Sequence, residues 1–351
     1  MDLLTNQILA LTQEPALLIR GERVVFANDS AIQLLGRDCQ SKSVRALFGE
    51  DVAGAQAHDF LAQIPSAAGG FFLRATNTPD GRVIFVNPRR TRPDLLNEPF
   101  LYAMRASLTG INISLANLRT RFEERGDQES SADLCSITAD YYRLLRIESN
   151  ASLALADAQG SLPFSPAMTN LSFLCRSVME AAAPFFPQVN FLAEAGEEIF
   201  APADANLIRQ LLLNLISNAL HHGKCRTLRL RLSEGRRGPI LSISDDGQGI
   251  ASQELHQAFD RYRHSFPLQR MSGGPGLGLT VCQAIAAAHG GTVLLESRPE
   301  HGTEVRVSLS REAIKAQLHS LPGDPGISSQ QLFTGLADCL PTEAFSPLYL
   351  D

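Results

Sequence analysis

Three short strings decide the fold: QLLLNLISNALHHG (210–223), SDDGQGI (244–250) and GGPGLGL (273–279). The first has the apolar periodicity of an α-helix, in which Asn214 and Asn218, four residues apart, share one face. The second follows an alternating segment, PILSISD, that is typical of a half-buried strand. The third precedes an apolar segment, TVCQAIAAAHGG, that is typical of a helix. We therefore predict an α/β domain in which a helix, a turn and a glycine-rich loop form one site.

The residue types in these strings point to a magnesium–nucleotide complex. Amide oxygens such as those of Asn214 and Asn218 are suitable ligands for Mg²⁺. Glycines permit tight turns and close backbone approach, and a glycine-rich loop that opens a helix binds phosphate oxygens through its N–H groups. The third string lacks the Lys-Ser/Thr ending of a Walker loop and the spacing of a dinucleotide fingerprint. By themselves, the first string also fits a core helix with two buried amides and the second a simple turn; their combination favours the nucleotide site.

The composition argues against several classes of function. The 351 residues include 31 Lys and Arg and 37 Asp and Glu, and the net charge of −6 argues against nucleic-acid binding. No apolar run reaches the roughly 18 residues needed to cross a bilayer, and the N-terminus lacks the basic region of a signal peptide. We therefore expect a cytoplasmic protein with no transmembrane segment. The six cysteines form no CxxC pair, so we expect neither disulfides nor a cysteine metal site.

Residues 1–92 predict a small α+β domain. We expect an amphipathic helix over 1–14, then two strands joined by a turn at Gly21-Glu22, then a short helix that is capped from within Asn28-Asp29-Ser30 and stops at Gly36. Further strands are predicted at 69–76 and 82–88. These elements favour a five-stranded sheet crossed by short helices.

Residues 97–157 predict two long helices joined by a polar turn, with the second beginning near Ser131. Apolar residues of the first helix alternate spacings of three and four, which is typical of a coiled coil or bundle: Leu101, Met104, Leu108, Ile111, Leu115, Leu118 and Phe122. A single hairpin buries such a seam poorly, whereas two copies form a four-helix bundle. We therefore expect a homodimer.

In their order and context, the three strings resemble the ATP-binding domain of sensor histidine kinases. The resemblance implies an α/β sandwich over residues 165–312, with ATP and Mg²⁺ as cofactors. In that family, the residue matching Asn218 binds Mg²⁺, the one matching Asn214 supports the same region, and the carboxylate matching Asp245 accepts a hydrogen bond from the adenine amino group. The resemblance implies further nucleotide contacts at His221, His222, Gly247, Gly249, Gly274, Gly276, Leu277, Gly278 and Thr303.

The N-terminal domain carries a second resemblance. The stretch LLIRGERVVFANDSAIQLLG (17–36) resembles the opening of a PAS sensor domain. A PAS-like sensor or interaction domain over 1–92 is therefore expected, with an unrelated small α+β domain as the alternative.

The predicted hairpin occupies the place where histidine kinases carry their dimerisation and phosphoacceptor helices, but its acceptor motif is altered. In YAMRASLTGI (102–111), Arg105, Leu108 and Ile111 fit the family pattern. Tyr102 stands in place of the phosphorylated histidine, and Ala103 replaces the neighbouring acid that helps to take its proton. Neither hairpin helix contains a histidine.

Three functions follow from these observations. The first is a cytosolic histidine kinase-like protein that uses Mg-ATP for phosphoryl transfer and signals to a response regulator. The second is a pseudokinase that binds ATP and regulates a partner kinase. The third is a kinase that phosphorylates a separate protein in trans. The tail, 313–351, lies beyond the family's usual end, and both docking on the body and binding a partner are open for it.

Overall fold

The computed structural model of the chain contains a ten-stranded sheet, a two-stranded sheet and eight helices in the described ranges. It describes residues 9, 15–36, 39–40, 42–49, 52, 60–64, 71–78, 81–88, 98–125, 128–196, 198–250, 277–311 and 326–346. The strands are β1 (Ala16–Arg20), β2 (Arg23–Ala27), β3 (Phe60–Ile64), β4 (Phe71–Thr78), β5 (Gly81–Pro88), β6 (Ala167–Asn170), β7 (Asn190–Ala195), β8 (Phe200–Ala203), β9 (Thr227–Glu234), β10 (Pro239–Asp245), β11 (Val293–Ser297) and β12 (Thr303–Ser308). The helices are α1 (Asp29–Leu35), α2 (Val44–Phe48), α3 (Glu98–Arg125), α4 (Gln128–Ala158), α5 (Leu171–Ala182), α6 (Ala205–Gly223), α7 (Gly278–Ala288) and α8 (Ser329–Leu336).

The N-terminal part folds as the expected five-stranded antiparallel sheet, in the order β2-β1-β5-β4-β3. The predicted hairpin turn lies at residues 21–22. Asn28 caps α1, because its side-chain oxygen accepts a hydrogen bond from the Ala31 N–H at 2.9 Å. Apart from Leu9, the helix predicted over 1–14 lies outside the described residues.

The N-terminal sheet continues into the C-terminal sheet. Strand β3 pairs antiparallel with β11, with Leu61 opposite Leu295. The full order is β2-β1-β5-β4-β3-β11-β12-β10-β9-β7, and all neighbours are antiparallel except β7 and β9. Sequence patterning did not predict this junction, because the alternation of a strand indicates its buried face but not its edge partner.

The C-terminal part is an α/β sandwich, as expected. Helices α5, α6 and α7 bury their apolar faces against the mixed sheet, and Leu211, Ile216 and Val281 are fully excluded from solvent. Strands β6 and β8 form a separate two-stranded sheet. Helix α5 begins at Leu171, because residues 167–170 pair with β8 and the side chain of Asn170 caps the helix.

Helices α3 and α4 form the predicted hairpin, with α4 beginning at Gln128 rather than near Ser131. Three residues of the predicted seam that are spaced seven apart are buried: Leu101, Leu108 and Leu115. The alternate positions Ile111 and Leu118 are 39% and 37% exposed. The hairpin therefore buries one half of its heptad pattern and leaves the other half open.

The tail docks on the body rather than extending away from it. A capping box between Ser328 and Gln331 begins α8, and a 3₁₀ turn follows at Thr342–Phe345. Phe333 and Phe345 are both 1% exposed and belong to the main hydrophobic core. None of the helices in the described ranges has the length and apolar character needed to span a bilayer.

Candidate nucleotide site

Helix α6 supplies the two asparagines of the first string. Asp204 caps its start, because the Asp204 carboxylate accepts hydrogen bonds from the N–H groups of Asn206 and Leu207. His289, at the end of α7, fixes this corner, since its Nε2 accepts a hydrogen bond from the Asp204 N–H at 3.0 Å. Burial lowers the pKa of His289, so its ring is neutral at neutral pH.

Asn214 and Asn218 face the start of α7. A Cβ atom added at Gly278 would lie 3.3 Å from Asn214 Oδ1 and 3.7 Å from Asn218 Oδ1. The glycine therefore lets the first turn of α7 approach the asparagine face closely. Leu277, which precedes that turn, provides no side-chain cap.

The two asparagines differ in their surroundings. Asn214 is 2% exposed, and its Oδ1 accepts hydrogen bonds from Asn150 Nδ2 at 3.2 Å and from an Arg146 guanidinium nitrogen at 3.4 Å. Asn218 is half-buried. The oxygen of Asn218 is therefore the better placed of the two to meet a ligand.

The acidic turn lies at the end of β10. Asp245 Oδ1 accepts a hydrogen bond from the Gly247 N–H at 2.9 Å, and the backbone of Thr303 donates a second. Burial nevertheless raises the pKa of Asp245, with a smaller contribution from the charge of Asp246. Asp245 is therefore a half-buried carboxylate for which a further hydrogen-bond donor would be favourable.

Two glycines allow this turn to pack against the β11–β12 connection. Gly249 has φ +64°, and a Cβ there would lie 2.1 Å from the carbonyl oxygen of Arg298. Gly302 has φ +82°, and a Cβ there would lie 1.8 Å from the carbonyl oxygen of Asp245. Both the left-handed backbone and the close approach require glycine.

Asp246 has a structural task that the sequence did not reveal. Its exposed carboxylate accepts hydrogen bonds from the N–H groups of Arg226 and Thr227, at 2.7 and 2.9 Å. Slight burial disfavours its ionisation, but these hydrogen bonds prevail and lower its pKa. The nearby Cys225 thiol is buried, which together with the charges of Asp245 and Asp246 raises its pKa to about 11.

Hydrophobic packing joins the second and third strings. Ile250, directly after the acidic turn, and Leu279, in the first turn of α7, both pack against Leu295 of β11. Strand β12, which pairs with β11, also pairs Thr303 with Asp245. The fold therefore brings the asparagine helix, the acidic turn and the start of α7 to one end of the sheet.

Other predicted contacts are less fully described. His221 is exposed in the last turn of α6, and the backbone of His222 lies beside it, but the His222 side chain lies outside what the structure describes. Gly274 and Gly276 also lie outside the described residues, as does the whole stretch 251–276. Thr303 is bound locally, with its hydroxyl 2.8 Å from that of Ser297.

Sequence reasoning missed three residues that contact this site from elsewhere. Arg146 and Asn150 reach Asn214 from α4, and Asp338 forms an ion pair with Arg146 from the tail. The spacing of four between Arg146 and Asn150 places them on one face of α4. That spacing was available in the sequence, but nothing in it identified the partner helix.

The described residues fit a magnesium–nucleotide complex. The start of α7 at Gly278 supplies backbone N–H donors for phosphate, the half-buried amide of Asn218 supplies an oxygen ligand, and the desolvated carboxylate of Asp245 supplies an acceptor. Among the described side chains, no three His, Cys, Asp or Glu groups gather into a metal site. A Mg²⁺ ion here would therefore depend on amide and phosphate oxygens.

Comparison with known proteins agrees with this geometry. Residues 203–313 match the family model described as histidine kinase-, DNA gyrase B- and HSP90-like ATPase. The sensor histidine kinase YkoH of Bacillus subtilis is 31% identical over 166 residues, which cover 46% of this chain and 36% of the relative. The sensor protein IrlS of Burkholderia pseudomallei is 32% identical over 210 residues, which cover 56% of this chain and 42% of the relative.

The chain thus spans less than half the length of these two curated relatives. A solved structure of full-length ShkA in complex with AMPPNP aligns with 63% of this chain and 48% of its own, at 21% identity and a TM-score of 0.49. Residues 203–313 are thus similar to an ATPase domain of the histidine kinase-like type, and the relatives of similar sequence include a sensor histidine kinase and a sensor protein.

Proposed function

We propose that this chain is a sensor histidine kinase-like protein of a two-component system that binds Mg-ATP for phosphoryl transfer. The observation that carries the proposal is the convergence of Asn218, Asp245 and Gly278 at one end of the sheet. These residues come from three separate strings: Asn218 lies on α6, Asp245 ends β10, and Gly278 begins α7, while residues 273–276 of the glycine-rich string lie outside the described residues.

Each group has a task in this proposal. Asp245 accepts a hydrogen bond from the amino group of adenine, which offsets the cost of its burial. Asn218 offers an amide oxygen to Mg²⁺. The N–H groups at the start of α7, beside Gly278, bind phosphate oxygens. The bound magnesium ion neutralises phosphate charge, and the protein contributes position and electrostatic stabilisation.

Nucleotide binding is tested by Asp245→Asn. Titration with a fluorescent ATP analogue in Mg²⁺ should show at least about tenfold weaker binding, because a hydrogen bond to a charged acceptor is lost. Asp140→Asn, on the exposed surface of α4, is the matched control and should bind normally. Equal affinities in the native and Asp245→Asn proteins would contradict the assignment.

Tyr102 occupies the position of the phosphoryl acceptor in the hairpin. Tyr102 is 77% exposed on α3. Glu148, on the facing helix α4, accepts hydrogen bonds from Arg105 at 2.6 Å and from Ser152 at 2.8 Å. These hydrogen bonds occupy the Glu148 carboxylate, and Ala103 stands in place of the family's acid. Both observations favour a second candidate function: an ATP-binding pseudokinase, or a kinase that phosphorylates a partner in trans.

Labelling with γ-labelled Mg-ATP separates these candidates. Acid-stable label that disappears in Tyr102→Phe would support transfer to Tyr102, whereas acid-labile label would contradict it. Nucleotide binding without label would favour the pseudokinase or the kinase in trans. Tyr102→His should restore at most weak autophosphorylation, because Ala103 still supplies no base. Robust label in that single variant would refute this account of the neighbour.

The assembly proposed for this function is a homodimer. In a four-helix bundle, a second copy would cover exposed apolar residues of the hairpin seam, among them Ile111, Leu118, Ile137 and Leu144. We further propose a PAS-like domain over 1–92, the dimerisation hairpin over 97–157, the ATP-binding domain over 165–312, and a response regulator or partner kinase as the downstream partner. Light scattering should give twice the chain mass, and a monomer would refute the bundle.

A further inference from the structure

The C-terminal segment, defined as residues 326–346, is built into the core of the ATP-binding part. A Cβ atom at Gly335 would lie 2.6 Å from the Cβ of Leu213, so α8 packs on α6 at a distance that only glycine permits. Cys339 Sγ lies 3.4 Å from the carbonyl oxygen of Ser217. The segment therefore runs along the helix that carries Asn214 and Asn218.

The same segment holds the hairpin. Tyr142 of α4 packs between Phe333 and Phe345, with ring centroids 5.8 and 5.6 Å away. These two phenylalanines lie 5.4 Å from each other and are almost fully buried. One aromatic cluster therefore joins the C-terminal segment, α4 and the core beneath α6.

A chain of polar contacts runs from this segment to the candidate nucleotide site. Asp338 forms an ion pair with Arg146, whose side chain is 9% exposed. Arg146 donates to Asn214 Oδ1 at 3.4 Å. Asn214 in turn faces Gly278 at the start of α7.

The hairpin also meets the start of α7 directly. Leu101 of α3, Ala151 of α4 and Leu277 form one buried cluster. The hairpin thus lies over the residue that opens α7, where phosphates would bind. In this arrangement, the C-terminal segment fixes the hairpin against the mouth of the candidate site.

We propose that the C-terminal segment is an intramolecular clamp that docks the hairpin on the ATP-binding part and slows nucleotide exchange. Asp338 closes the clamp through Arg146, and the aromatic cluster keeps it in place. When the clamp opens, α4 separates from α6 and the start of α7 becomes accessible. The nucleotide part of this inference rests on the function proposed above; the docking part does not.

The test compares the full chain with Asp338→Asn. Truncation at residue 325 would remove Phe333 and Phe345 from the core and endanger folding, whereas Asp338→Asn keeps all apolar contacts. Asp338→Glu retains the charge, and Glu343→Gln neutralises an exposed carboxylate of the same segment. Deuterium exchange reports docking of α4, and stopped-flow mixing with a fluorescent ATP analogue reports access to the site.

We expect Asp338→Asn to exchange at least about tenfold faster in residues 141–158, because Arg146 loses the partner that compensates its burial. Association and dissociation rates of the nucleotide should both rise by at least about threefold, with little change in affinity, because the mouth opens without altering the site. Asp338→Glu and Glu343→Gln should behave like the native chain.

The clamp would be refuted if Asp338→Asn and the native chain showed the same rate of deuterium exchange in α4. Faster exchange in α4 with unchanged nucleotide rates would overturn its control of the site. A failure of the native protein to bind nucleotide would contradict the proposed function instead, and exchange in α4 would still decide whether the clamp exists.

Discussion

The side-chain amides of Asn150 and Asn214 form a reciprocal pair: each Nδ2 donates to the other Oδ1 at 3.2 Å, across a sequence separation of 64. Asn214 thereby faces two ways, towards α4 through this pair and towards α7 through Gly278. The pair joins the hairpin to α6. It gives Asn214, a residue of the first string, a direct contact with α4.

Removal of one amide should expose this coupling. We expect Asn150→Ala to lower the free energy of unfolding by about 1–3 kcal/mol, because both polar atoms of the buried Asn214 lose a partner. Urea unfolding followed by circular dichroism measures the change. Ser136→Ala, at an exposed position of α4, should have an unfolding midpoint close to the native one. An unaltered midpoint in Asn150→Ala would show that the pair is not structural.

The acidic turn should tolerate no side chain at Gly249. Gly249→Ala should lower the free energy of unfolding by more than about 2 kcal/mol and abolish nucleotide binding, since the added Cβ would clash with the Arg298 carbonyl oxygen. Gly160→Ala is the matched control, because Gly160 has nearly the same φ, +67° against +64°, but nothing within 4 Å. Gly160→Ala should lower the free energy of unfolding by only about 1 kcal/mol, because alanine disfavours the left-handed backbone but meets no clash. Similar losses in both variants would refute the clash.

Substitution by alanine should have opposite effects on stability at two helical glycines, because only one of them lies in the close contact of α8 with α6. Gly335→Ala should destabilise the protein by about 1–3 kcal/mol, because its Cβ would overlap Leu213. Gly110→Ala, in α3 with nothing within 4 Å, should stabilise it by about 0.5–1 kcal/mol through helix propensity. Thermal unfolding of the two variants provides the measurement, and a stabilised Gly335→Ala would mean that α8 does not pack this closely.

We expect the burial of His289 to make the native protein less stable in acid. Its pKa is lowered by burial from the usual 6.5, although the Ile285 carbonyl and the Asp204 charge favour the protonated ring. Below pH 6.5 the unfolded chain therefore binds a proton that the native chain does not, and stability falls as the pH falls. The unfolding midpoint measured from pH 7.5 to 5 should decline less steeply in His289→Gln. An equal slope in both proteins would exclude His289 as the cause.

Local signals predicted most of the separate elements. Asn28 and Asp204 cap the expected helices, because capping depends on N–H groups only two or three residues away. The alternation of PILSISD produced β10, and the first string lies on α6 as expected. Residues 167–170 form a strand for a tertiary reason, since they pair with β8.

The positions of three site residues are described by the structure, whereas their roles remain predictions. Asn218, Asp245 and Gly278 stand together at one end of the sheet, whereas Asp246 holds the start of β9 instead of facing a ligand. Nothing in the second string distinguishes two adjacent aspartates by task. Residues distant in sequence do so, because the backbone of Thr303 donates to Asp245, whereas the backbone at Arg226 and Thr227 donates to Asp246.

The sequence by itself determined the helices, the strands, the caps and the order of the three strings, because these depend on side chains within a few positions of one another. Tertiary structure alone decided that β3 pairs with β11, that Asp338 reaches Arg146 across 192 positions, and that Asn214 is shared between α4 and α7. The physical reason is that a periodic pattern specifies which face of an element is buried, while its partner is selected by the shape and polarity of every other surface that competes for that face.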